Sequence, residues 1–152
     1  MPDILASSSR GAIPLHLVTK EGLEDWLDGL DAGAVRWVES AGFTGKAGQT
    51  VLLPGEGGKP AGAALGVEGL DEFWACGGAS SQLPAGLYAI QTKLTKAQAT
   101  DIAVAWSLGA YKFDRYKKKA ANGARLVWPK GADKTVAEAI RAGVATTRTL
   151  IN

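Results

Sequence analysis

The chain has 152 residues, of which 46% are apolar and 21% charged, and its formal net charge is +2. That is the size of one compact domain, able to bury a core without disulfides or a structural metal. The composition excludes a disordered chain, and the small net charge excludes a general electrostatic field for nucleic acid or anionic lipid.

In chain order, Ile13 to Val18 reads as the first strand, with Thr19 as a helix cap after it. Leu23, Trp26, Leu27 and Leu30 then fall on one apolar face of a helix. A second helix sets Val35, Val38 and Ala41 on one side and ends at Gly42, a usual place for a left-handed cap. Thr50 to Leu53 and Ala61 to Val67 are strands, and the intervening Pro54 to Pro60, with three glycines and two prolines, is a hairpin loop. Leu70 to Leu83 begins as a helix and loosens at Gly77 and Gly78, and Gly86 to Thr92 is the next strand.

Thr95-Lys96-Ala97-Gln98 matches a capping box, with Ala99, Ile102, Ala103, Trp106 and Ala110 as the apolar stripe behind it. A polar connection from Lys117 to Gly123 leads to the strand Ala124 to Trp128, stopped by Pro129. The last helix starts near Asp133 or Thr135, with Thr135 and Glu138 as a second box. Val136, Ile140 and Val144 give it a buried face, extended by Thr147 and Leu150 or Ile151. The hairpin demands antiparallel neighbours and the later strand–helix–strand units demand parallel ones. The fold class is therefore α/β, a mixed sheet with helices on both faces.

Residues 1–18 lack the basic start and apolar core of a secretory signal. No apolar run reaches the ~20 residues needed to span a bilayer. A cytoplasmic protein is expected, and the single cysteine, Cys76, fits a reducing compartment.

A two-metal hydrolase needs carboxylates converging from strand ends. Here Glu21, Glu24, Asp25, Asp28, Asp71, Glu72 and Glu138 lie on predicted helices and read as solvated faces. His16, the only histidine, sits between Leu15 and Leu17 and reads as a packed or surface residue. Cys76 as a nucleophile would need a histidine and an orienting group.

Gly78-Ala79-Ser80-Ser81-Gln82 begins like a nucleophile elbow but has Gln82 where the second glycine belongs. Gly55-Glu56-Gly57-Gly58-Lys59 and Gly42-Phe43-Thr44-Gly45-Lys46 end in Gly-Lys, yet Pro60 and Ala47 replace the hydroxyl residue a phosphate loop requires. Both are turns. The segment Tyr111 to Lys119 interleaves aromatics with lysines, as a single-stranded nucleic-acid groove does, or as a helix end does whose cations complement its dipole. Of the five tryptophans, Trp26, Trp37 and Trp106 fit helix faces and read mostly as core. No catalytic, cofactor-binding or metal-ligating residue is assigned.

The stretch Trp106-Ser107-Leu108-Gly109-Ala110-Tyr111-Lys112-Phe113-Asp114-Arg115-Tyr116-Lys117 resembles the one that closes the N-terminal domain in bacterial leucyl aminopeptidases of the cytosol aminopeptidase family. Gly42 to Gly48 leading into Leu52-Leu53-Pro54-Gly55, Leu83-Pro84-Ala85-Gly86 and Arg125-Leu126-Val127-Trp128-Pro129 match in order and spacing. Arg148-Thr149-Leu150-Ile151-Asn152 is similar to the element that enters the catalytic domain there, with Thr149 in place of an acidic residue.

The resemblance implies a macro-like domain at 1–130 and a connecting helix at 131–152 leading toward an absent C-terminal catalytic domain. It implies that the lysine, aspartates and glutamate holding two divalent metals, Zn or Mn, lie beyond this chain, which by itself is no enzyme. It implies as partners that catalytic domain and the neighbouring subunits of a homo-hexamer, whose assembly or regulation this domain aids. Membrane and nucleic acid are not expected partners. The competing reading is a stand-alone macro-like module that binds ADP-ribose or a related nucleotide.

Overall fold

The computed structural model describes residues 4–73, 75–117 and 124–151. The side chains of Ser80, Ser81, residues 111–117 and 144–151 lie outside the described set, as do Trp74, the polar connection at 118–123 and Asn152. The strands are β1 (Leu5–Ala6), β2 (Ile13–Val18), β3 (Thr50–Leu53), β4 (Gly62–Gly66), β5 (Gly86–Ile90) and β6 (Ala124–Val127). The helices are α1 (Leu23–Asp28), α2 (Ala32–Ser40), α3 (Ala79–Gln82), α4 (Lys96–Lys117) and α5 (Lys134–Ile151).

The sheet has the order β1-β6-β5-β2-β4-β3. All neighbours are parallel except β3, which returns antiparallel along β4 through the predicted hairpin. The mixed sheet is as expected, with one strand, Leu5–Ala6, that the sequence reading lacks. Two residues are too short for any periodic pattern.

Because side chains alternate along a strand, each strand feeds two layers. Leu15, Leu17, Ala63, Leu65, Tyr88 and Leu126 face one cluster, shared with Ala79 of α3 and Ile102, Ala103 and Trp106 of α4. Val18, Val51, Leu53 and Ala64 face the other, where Val38 and Phe43 close over them. The predicted stripe Leu23, Trp26, Leu27 and Leu30 packs on that second cluster. Helices thus cover both faces.

Helix α4 is the structural centre. Its capping box forms reciprocally: Gln98 N donates to Thr95 Oγ1 at 3.1 Å and Thr95 N donates to Gln98 Oε1 at 2.9 Å. Behind it, Ala99, Ile102, Ala103, Trp106 and Ala110 are buried, and Val104 and Ala105 are buried too, because α5 packs against the far side. Trp106 Nε1 donates to the Ala124 carbonyl at 3.2 Å, and its ring lies 6.4 Å from that of Tyr88. A Cβ at Gly109 would overlap the Gly77 carbonyl oxygen, so helix and turn meet backbone to backbone.

Several local expectations are corrected. Thr19 does not cap α1; its hydroxyl accepts from Gly22 N at 2.9 Å and closes the turn before the helix. Ala41 is exposed at the end of α2, while Val38 is buried and Val35 half-buried. The stretch from Leu70 to Leu83 is mostly turns, helical only at Ala79–Gln82, since the paired glycines at 77 and 78 remove the helix's local preference. Trp37 is not core: it is 50% exposed and its Nε1 donates to the Leu52 carbonyl at 2.8 Å, covering an outward-pointing group of the edge strand β3.

The correction at α5 matters most. Its cap is Asp133, whose carboxylate accepts from Val136 N at 3.1 Å; Glu138 pairs with Arg141 instead of completing a box with Thr135. Asp133 N in turn donates to Thr100 Oγ1 of α4 at 2.9 Å, and its carboxylate lies 3.6 Å from Lys96 Nζ. The Val136 amide first, and Lys96 after it, hold the Asp133 carboxyl below the ordinary carboxylate range. This docking turns Ala137 inward, fully buried, and leaves Val136 45% and Ile140 39% exposed. The larger apolar residues of the predicted buried face therefore point away from α4. Val144, Thr147, Leu150 and Ile151 lie outside the described side chains.

These caps make a paired prediction. Thr95→Ala should cost about 1 kcal/mol of unfolding free energy. Asp133→Ala should lower the urea midpoint while Thr135→Ala leaves it unchanged; an equal loss at Thr135 would restore the second box.

Candidate functional site

The residues weighed for chemistry do not converge. His16 is half-buried on β2, with its ring 5.9 Å from that of Trp26, and its side chain makes no hydrogen bond or ion pair among the described residues. Its neighbours Leu15 and Leu17 join the cluster that contains Cys76, so His16 points to the opposite face of the sheet. A Cys–His pair is therefore excluded by topology. Trp26 Nε1, buried beside His16, also has no acceptor among the described residues. This corner is an apolar contact and not a proton relay.

Cys76 is fully buried, and burial pushes its thiol up to about 12. A thiol held neutral at physiological pH is neither nucleophile nor metal ligand.

The glycine-rich turns have structural employment. Gly55–Lys59 forms a single 3-10 turn within the β3–β4 hairpin, with Gly57 and Gly58 at φ 64° and 79°. A phosphate loop would instead follow a parallel strand into a helix. In Gly42–Gly48, Gln49 Oε1 accepts from Thr44 N, Thr44 Oγ1 and Lys46 N at 2.9, 3.0 and 3.1 Å. No strand precedes Gly78 in the manner of a nucleophile elbow, because turns occupy the chain after β4. The aromatic-basic segment Tyr111–Lys119 lies outside the described side chains.

Among the described residues no group of three or more His, Cys, Asp or Glu could hold a metal ion. The residues described do not fit a two-metal centre, and no catalytic step can be derived through one. Nor is any described helix long and apolar enough to cross a membrane.

What the sheet does build is a set of recesses at the carboxyl ends of its parallel strands. One, of about 420 Å³, lies beyond β2 and β4 and carries Lys20, Lys46, Glu21 and Glu68, so its charges offset each other. The larger, of about 720 Å³, lies beyond β1, β5 and β6. Ser7 and Ser9 reach it from the loop after β1, Thr92 and Lys93 from the loop after β5, and Trp128 and Lys130 from the loop after β6. These residues are too far apart in sequence for any motif to reveal them.

The family model for the N-terminal domain of M17 aminopeptidases matches residues 13–129. The chain belongs to that family. The M17 domain takes in every strand but β1 and stops before α5. A solved structure, the cytosol aminopeptidase from Coxiella burnetii, is similar at 30% identity and a TM-score of 0.71 over 81% of this chain. The chain spans only 27% of that protein's length. No curated protein matches it. The resemblance read from residues 106–117 and their companions is thereby shown as an M17 N-terminal domain.

Two predictions test the absence of chemistry at the weighed residues. Cys76 should resist a thiol reagent such as DTNB at pH 8 in the folded chain and react fully in denaturant; rapid native labelling would contradict its burial. Burial lowers the pKa of His16 below its ordinary value of 6.5. The unfolded chain then binds more protons than the folded one across the interval just below 6.5. Stability should fall as pH drops through that interval, and His16→Phe should flatten the dependence in urea titrations.

Proposed function

We propose that this chain serves as the non-catalytic N-terminal domain of a metal-dependent leucyl aminopeptidase, a peptidase that removes N-terminal residues from peptides. In this reading residues 1–130 form the domain proper, and residues 131–152 connect it to a C-terminal catalytic domain that holds the two divalent metals. The domain's contribution is to the assembly or regulation of a homo-hexamer in the cytoplasm.

The observation that carries the proposal is the outward apolar face of α5. Val136 and Ile140 are exposed on a helix that begins just past the matched family domain. Two β-branched residues one turn apart on the outer side of this helix give a partner a small apolar contact. The remainder of the aminopeptidase is the occupant this reading assigns. Small Ala137 takes the inner side, which leaves the outer side for a second partner.

Two assays test it. The purified chain should not hydrolyse leucyl p-nitroanilide with manganese or zinc added; hydrolysis would overturn the non-catalytic reading. Deleting this domain from the full-length enzyme should shift its elution from a hexamer to smaller species; an unchanged hexamer would remove the assembly role.

A further inference from the structure

We propose that the larger recess, beyond the carboxyl ends of β1, β5 and β6, is a binding site for a small phosphorylated molecule. This function is independent of any peptidase role.

The first argument is position. In open sheets with parallel strands, the loops leaving the carboxyl ends form the crevice in which ligands bind, because the strands fix the loops while leaving their side chains free. Here three adjacent parallel strands, in the order β1-β6-β5, deliver three such loops to one recess. Their registers tie them together: Leu5 pairs with Leu126, and Tyr88 pairs with the same residue from the other side. The β5 loop is fixed further by Thr92, whose hydroxyl accepts from Leu17 N at 2.9 Å. The sheet thus fixes where the three loops begin.

The second argument is chemistry. The recess of about 720 Å³ lies within the range of small-molecule sites, about 300–1,000 Å³. Its lining includes two lysines, Lys93 and Lys130, the hydroxyls of Ser7, Ser9 and Thr92, and no carboxylate. Neither lysine has an ion-pair partner among the described residues. In the smaller recess next along the same edge, two glutamates accompany the two lysines. The contrast selects the larger recess for an anion.

Lysine ammonium groups and hydroxyl donors lining one recess without a competing acid suit the oxygens of a phosphate, which accepts several charge-assisted hydrogen bonds at once. Trp128 supplies an apolar wall for the remainder of the molecule. One face of that ring is engaged by Lys134, whose Nζ lies 5.6 Å from the ring centroid.

The test is an amide NMR titration of the 152-residue chain with inorganic phosphate and with pyrophosphate, at ionic strength held constant with sodium chloride. Saturable shifts should be confined to residues 7–9, 91–94 and 128–130. The double variant Lys93→Ala/Lys130→Ala should bind pyrophosphate about tenfold more weakly, since each lysine supplies a charge-assisted contact. A control pair in the smaller recess, Lys20→Ala/Lys46→Ala, should leave binding unchanged. Both pairs are exposed side chains, and an unaltered spectrum away from the substitutions checks that each variant folds. Non-saturating shifts spread over all basic residues would overturn the proposal. So would undiminished binding in the Lys93/Lys130 variant, or binding seen only with an oligonucleotide.

Discussion

Helix α4 is buried over most of Ala99 to Ala110, with only Asp101 and Leu108 half-buried, because it meets its neighbours with small side chains and one backbone contact. Gly109 lies against the Gly77 carbonyl, where any Cβ would collide, and Ala99, Ala103, Ala105 and Ala110 keep the sheet, α3 and α5 close. Trp106 fills the space this close approach leaves, with its indole nitrogen satisfied by the Ala124 carbonyl. Truncating such a residue costs about 3–5 kcal/mol, a large share of the roughly 5–15 kcal/mol that holds a domain together. The remaining architecture follows from this helix. Thr100 on its first turns receives the Asp133 amide, which fixes where α5 starts and therefore which of its faces looks outward. A shift of α4 would move both the outward face of α5 and the loops around the larger recess.

Much of this layout is legible in the residues because local chemistry and tertiary demand agree. Ile13 to Val18 and Thr50 to Leu53 are strands with the expected bounds, and Pro54 to Pro60 turns the hairpin. The Thr95–Gln98 box forms as its side chains require. The departures arise where two readings of one pattern compete. In α5 both Ala137 and the pair Val136 and Ile140 lie on apolar stripes, and size alone favours burying the larger pair. Packing decides otherwise, because a closely approaching α4 leaves room only for the alanine. Around Gly77 and Gly78 the apolar spacing of a helix is present, but backbone contact with α4 takes precedence over it. Helical spacing groups Trp37 with tryptophans that are mostly core, whereas its indole is used at the sheet edge, a demand visible only once the strand order is known.

The chemistry is legible chiefly as what the weighed residues do not do. His16 and Cys76 sit on opposite faces of one sheet: alternation along β2 turns His16 away from Leu15 and Leu17, and the fold packs Cys76 with those two leucines. The recess beyond β1, β5 and β6 is another matter. It joins residues near positions 8, 92 and 129, and only the crossover order of the strands brings them to one edge. On the reading proposed above, the exposed Val136 and Ile140 of α5 are where this M17 N-terminal domain meets the rest of its protein.

The most direct test of that account alters the outward face of α5 without disturbing the domain. In the full-length aminopeptidase carrying this domain, Val136→Asp/Ile140→Asp would be followed by multi-angle light scattering. The proposed assembly role predicts that the proposed hexamer gives way to smaller species, while the same substitutions in the isolated chain leave its unfolding midpoint nearly unchanged. A hexamer of unaltered mass and concentration dependence would contradict it.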